Sequence, residues 1–246
     1  MRKVFAKYRN LPEAVKASLW FTICSILQKG ISFITVPIFT RMLSTEEYGI
    51  ISLFGAWQSI LTIFATLNLS NQIFNNGMVK YEKDQDGYTT AMLGLSNFAT
   101  VLVFVLYLVF HTALDKIFEL PMSAIIMMFI GFFFSAATSL WTVHQRYKFK
   151  YKLLCLVTLI ISLGSALLGV LFVRLESVGL ARIWGDTITI TTVGLLIYVL
   201  IVKKNHKLFN LTYWKYALKL DLPLIPHYLS MTVLGSSDRI MINSLC

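Results

Sequence analysis

Apolar runs of about 20 residues, joined by short polar segments, decide what this chain can fold into. A helix of that length crosses some 30 Å of hydrocarbon while satisfying its backbone polar groups internally. Six such runs are read, at about Ala14–Leu43, Thr45–Val79, Tyr88–Phe110, Pro121–His144, Leu153–Val173 and Val178–Val202. The chain is 57% hydrophobic and only 14% charged, with a mean hydropathy of +0.69. A soluble domain carries about 25% charged residues, and that much apolar surface does not fit into one soluble core. The expectation is an all-α integral membrane fold. Residues 1–210 form a six-helix lobe. Residues 211–246 follow with an amphipathic stretch, "NLTYWKYALKLDLPLIP", and a seventh apolar run from about Leu224 that begins a second lobe. The joining segments are too short to hold a soluble catalytic domain.

The net charge of +10 does not point to nucleic acid, because the cations lie in clusters between the apolar runs. With the N-terminus placed in the cytoplasm, the cytoplasmic segments take Arg2, Lys3, Lys7, Arg9 and Lys16. They then take Lys80 and Lys83, the run Arg146 to Lys152, and the lysines from Lys203 to Lys219. The opposite face keeps Arg41, Lys116 and Arg174. This alternation sets the N-terminus inside. The basic start lacks a small-residue cleavage site and reads as a retained first span, with Asn10 and Glu13 as its capping box. The three cysteines have neither metal-ligand spacing nor an even count for a disulfide framework. No phosphate loop, catalytic triad, zinc spacing or carboxylate pair is present, so neither an enzyme nor a cofactor is expected.

Polar residues inside the runs carry the functional signal, since each costs free energy in lipid. Lys29 stands mid-span in "ILQKGISFITVP", too deep to snorkel easily. It lines a central cavity or is paired locally. Arg182 and Asp186, four apart in "GLARIWGDTI", share a helical face. They are a self-neutralising pair or a cavity cation with a switching partner. Asn68, Asn71, Gln72, Asn75 and Asn76 form a stripe at helical spacing, which glues helices together or faces sugars. Asp238 and Arg239 stand in the seventh run, where adjacent residues need different partners. His227 is a candidate protonation site or a helix-end residue. Trp20, Trp141 and Trp214 fall near expected membrane interfaces.

The stretch "VPIFTRMLSTEEYGIISLF", Val36 to Phe54, reads as a helical hairpin at the outer face. Pro37 loosens the end of the first span and Arg41 suits a helix C-terminus. Ser44 caps the next helix, with Glu47 completing a capping box. The pair Pro37 and Arg41 is a candidate gate. The same stretch, together with "LDLPLIPHYLSMTVLGSSDRIMI" and the loop "HQRYKFKYKLL", resembles the oligosaccharide flippases of O-antigen and capsule type. These belong to the multidrug/oligosaccharidyl-lipid/polysaccharide exporter superfamily. The resemblance implies two six-helix lobes, of which this chain is the first plus the start of the second. It implies alternating access that carries undecaprenyl-diphosphate-linked sugar across the bacterial cytoplasmic membrane. Polysaccharide polymerase and chain-length proteins are the partners it suggests, and H+ or Na+ the coupling ion. Lys29 falls where related flippases carry a cavity cation. The arginine that many relatives hold at the end of the second span is missing from "NQIFNNGMVKYE". A cation-coupled multidrug antiporter of the same fold and a non-transporting membrane scaffold are the alternatives.

Overall fold

The computed structural model describes residues 12–176 and 178–245, without the side chains of residues 72 and 236–245. Among the described residues there is no strand. Among them six helices are long and apolar enough to cross a membrane, so the chain is an all-α, multi-pass membrane protein.

Helix α1, Glu13–Met42, starts after Pro12 and carries no side-chain cap. The expected cap, Asn10, lies outside the described residues. The helix runs through Pro37 without a break, and the carbonyl that Pro37 leaves unpaired belongs to Phe33, on an open flank where that side chain is 81% exposed. Helix α2, Thr45–Thr66, is capped as expected: Ser44 Oγ accepts the Glu47 N–H at 3.2 Å. The second half of the box is used differently. The Glu47 carboxylate accepts the backbone N–H of Gly179, at the start of the sixth spanning helix. It thus places a negative charge at that helix's positive end. Removing the hydroxyl in Ser44→Ala is expected to cost about 1 kcal/mol of stability, read as a lower thermal unfolding midpoint.

The second span does not continue to Val79. Leu67 (φ 54°) and Asn68 (φ 45°) adopt the left-handed region and end α2. The chain turns through Asn71 N–H to Asn68 O, 3.0 Å, and resumes as a short helix α3, Gln72–Lys80. Asparagine tolerates this conformation, and the sequence "NLSN" offers turn-forming side chains. The expected stripe of amides on one helix face is therefore corrected. Asn68 and Asn71 belong to the break and Asn75 and Asn76 to α3.

Helix α4, Gln85–Phe118, is capped by Asp84, which accepts the Gly87 N–H at 3.1 Å. Its backbone kinks at Phe110, where the third span was expected to stop, and the helix goes on for two more turns. Tyr107 spans the kink by donating its hydroxyl to Asp115 at 2.8 Å. Helix α5 is Met122–Tyr147, α6 is Tyr151–Glu176 and α7 is Gly179–Lys204. Helix α7 lies between α5 and α6, and α1 leans chiefly on α6. Small residues allow that closeness: a Cβ on Gly185 would stand 2.6 Å from the Gly169 nitrogen, and one on Gly194 2.6 Å from the Phe134 oxygen.

The amphipathic stretch becomes α8, Leu211–Asp221, and the seventh run α9, Ile225–Leu245. Helix α8 docks on α3 and α4. Trp214 is buried and donates its indole N–H to the Ala91 carbonyl at 2.8 Å. Trp141 is buried as well, so only Trp20 of the three expected interfacial tryptophans is exposed. The satisfied indole N–H makes Trp214 an interior residue despite its polar atom. Tyr213 donates to Asp84 at 2.8 Å, and burial, with that bond, pushes its phenol up to about 12. Lys80 lies 4.0 Å over the Tyr216 ring. Helix α9 then packs along α2.

Candidate functional site

A cavity of about 420 Å³ lies among α1, α2, α5, α6 and α7. Its polar wall holds Arg182 and Asp186 from α7, Ser162 and Ser165 from α6, Gln58 from α2, and Ser32 and Thr35 from α1. Arg182 Nε and Asp186 Oδ2 are 3.9 Å apart, with the side chains 22% and 42% exposed. The spacing of four residues puts them on one face of α7. A separation of 3.9 Å is longer than a hydrogen bond, so the pair compensates charge without using up the guanidinium's five donors. Phe39 stacks beneath that guanidinium, 4.1 Å from its centre, and holds it against α1. An anion arriving in the cavity meets a positioned, incompletely engaged arginine surrounded by hydroxyls.

Lys29 does not join this cavity. It ends a separate groove of about 560 Å³ that follows one face of α1 through Ala17, Ser18, Thr22 and Ser25. From Ala14 to Lys29 that face extends about 22 Å, at 1.5 Å per residue. Arg146, at the end of α5, also lines the groove. Arg146 and Phe149 also line a neighbouring recess of about 750 Å³ together with Asn71 and Asn75. Neither Lys29 nor Arg146 has a carboxylate within 4 Å among the described residues. Arg146 leans on the Phe21 ring at 5.5 Å.

Arg146 is the cavity-lining cation that sequence reasoning did not single out. Its loop read as an orientation signal, and nothing in the local pattern shows that it returns to face α1. Asn68 stands apart from the other amides, in a small pocket of about 80 Å³ with Thr62, Thr66, Ser96, Ser135 and Ser139. Pro37 and Arg41 are exposed on α1 and line none of these cavities. His227 is exposed beside Tyr228. Trp184 is 48% exposed on the outer side of α7 and Trp57 packs edge-on to Phe118. The side chains of Gln72, Asp238 and Arg239 lie outside the described residues.

No curated protein matches the chain. No solved structure matches it either. Residues 14–246 match the family described as polysaccharide biosynthesis protein, whose members are transporters rather than enzymes, and the chain belongs to that family.

Proposed function

We propose that this protein moves lipid-linked oligosaccharide, a sugar on undecaprenyl diphosphate, from the cytoplasmic to the outer leaflet of the bacterial cytoplasmic membrane. The observation that carries this reading is the cavity holding Arg182 among serine, threonine and glutamine side chains. A sugar headgroup cannot cross about 30 Å of hydrocarbon unaided, because its hydroxyls would lose their hydrogen bonds. A hydroxyl-lined cleft within the helix bundle removes that cost, and a guanidinium can grip a diphosphate through charge-assisted hydrogen bonds. No covalent step is needed.

In this reading Arg182 and Lys29 are the principal anion contacts and Asp186 tunes the first of them. Arg146 extends the cationic track toward the cytoplasm. Asn71 and Asn75 contact sugar at the mouth, and Asn68, Gln72, Asp238 and Arg239 complete the set of substrate-contacting residues. Pro37 and Arg41 act at the outer gate. Residues 1–210 make the first lobe of an alternating-access pair and residues 211–246 begin the second. The N-terminus is cytoplasmic, the product serves O-antigen or capsule assembly, and the partners are the polymerase and chain-length proteins of that process. Transport is coupled to H+ or Na+.

The test is reconstitution of the native protein in vesicles that carry a fluorescent polyprenyl-diphosphate oligosaccharide. Protein-dependent exposure of the sugar to an outside lectin is expected, with loss in Lys29→Ala and Arg182→Ala. Vesicles in which the sugar stays on one side overturn the reading. The half-exposed Asp186 carboxylate favours a second reading, antiport of organic cations by the same cavity. Cation efflux without sugar movement would select it. A scaffold would leave both assays silent and tolerate neutralisation of Lys29 and Arg182.

A further inference from the structure

Asp221 closes α8 and is fully buried. Neither of its carboxylate oxygens has a hydrogen-bond partner among the described residues. No cationic side chain lies within 4 Å of it among the described residues. A buried carboxylate with neither donor nor counter-charge is the least favourable state such a group can take, and folded proteins answer it by neutralising the group. Burial alone pushes the Asp221 carboxyl up, to about 6.

Its place in the fold gives this a consequence. Helix α8 rests on α3 and α4, whereas α9 packs along α2. Between them the chain makes a single 3-10 turn, Leu222–Leu224, with Pro223 inside it and Pro226 just after. Asp221 is thus the joint at which the chain leaves one packing surface for another. Among the described residues, these charged and titratable groups surround the joint: His227, near the start of α9, is exposed beside Tyr228. Tyr228, in the first turns of α9, faces both Asp221 and Asn71 of the break after α2. Lys80 of α3 is held over the Tyr216 ring. Near the start of α4, Asp86 lies 3.7 Å from Lys204. Lys215 and Lys219 of α8 are exposed, and the 3-10 turn itself carries no ionisable residue.

We propose that Asp221 is a proton-binding site, occupied when α8 and α9 are seated as in this structure, and that loss of the proton loosens the joint between the first six spanning helices and α9. This goes beyond the transport reading, and its test reads the joint itself, so either can fail alone. The folded-state value lies above the unfolded one. The proton-linked stability is therefore complete below about pH 4 and lost as the pH rises through about 6.

The experiment is the thermal unfolding midpoint of the purified native protein and of Asp221→Asn, across about pH 4 to pH 8. The two are expected to agree within error at the acid end. The variant should then exceed the wild type by a margin that grows to a plateau above about pH 7. A difference that is the same at every pH, or none, overturns the proposal. So does a wild-type deficit at high pH that sodium, but not potassium, removes, since a metal ion would then answer the carboxylate. Hydrogen exchange on the wild-type protein gives a readout that needs no variant. Amides of residues 218–230 are expected to lose protection, after correction for intrinsic rates, above pH 7 relative to pH 5. Unchanged protection overturns the proposal.

Discussion

Arg182→Gln is expected to reduce glycan export by about 10- to 100-fold with the protein still in the membrane. A hydrogen bond to a charged group contributes about 1.5–3 kcal/mol, and each 1.4 kcal/mol is tenfold. The arginine is placed to supply such a bond: it lines the cavity, rests on Phe39 at 4.1 Å, and stands 3.9 Å from Asp186. Removing it also leaves Asp186 without its counter-charge, so the single variant confounds a lost ligand contact with a strained site. The double variant Arg182→Gln/Asp186→Asn separates the two. It removes both charges, and stability should return toward wild type while export stays low. Export that recovers in the double variant would reduce the pair to a structural one. The measurements are surface glycan per cell and membrane abundance of the protein, taken on the same cultures.

The second large effect is a packing one. Gly185→Leu should leave little folded protein in the membrane. A side chain at that position meets the Gly169 nitrogen at 2.6 Å and its Cα at 2.8 Å. Those are backbone atoms, which cannot rotate away as a flexible side chain would. Overpacking a core costs about 1–3 kcal/mol even where neighbours can adjust, and here the helix axes themselves must separate. Helix association in lipid relies on close packing, since lipid tails solvate apolar side chains as well as a neighbouring helix does. The loss is expected to exceed about 3 kcal/mol, read as degradation and a collapsed unfolding midpoint. Gly49→Ala is the control: nothing lies within 4 Å of its added Cβ, and helix propensity makes the change neutral or slightly stabilising. Gly185 is next to Asp186 and one turn from Arg182, so the same crossing that packs α6 on α7 also positions the cavity's charges.

The two predictions rest on features that were unequally legible in the sequence. The pairing of Arg182 with Asp186 was readable, because residues four apart on a helix share a face whatever surrounds them. The cap at Ser44 was readable for the same local reason. The amide stripe was not. Helical spacing predicted one face from Asn68 to Asn76, but Leu67 and Asn68 take left-handed backbone and split the set between a break and a short helix. Periodicity assumes an unbroken helix and cannot detect the one residue that ends it. The burial of Trp214 was not legible either. An amphipathic basic helix reads as interfacial, but the N-terminal part of α4 offers a carbonyl at Ala91 that the indole N–H can reach only in the folded molecule.

What the sequence determined by itself is what depends on near neighbours and on the solvent: six helices long and apolar enough to cross a membrane, the cap at Ser44, and the cost of each buried polar group. Those follow from a 1.5 Å rise, a 3.6-residue turn and about 30 Å of hydrocarbon. Tertiary structure decided which polar groups meet. It sent the Glu47 carboxylate to Gly179, brought Arg146 and Lys29 to one groove, and kept both from Arg182. It also left Asp221 buried without a hydrogen-bond partner among the described residues. Each of these contacts joins elements far apart in the chain, and their juxtaposition is fixed by packing across helices, where residue spacing carries no information.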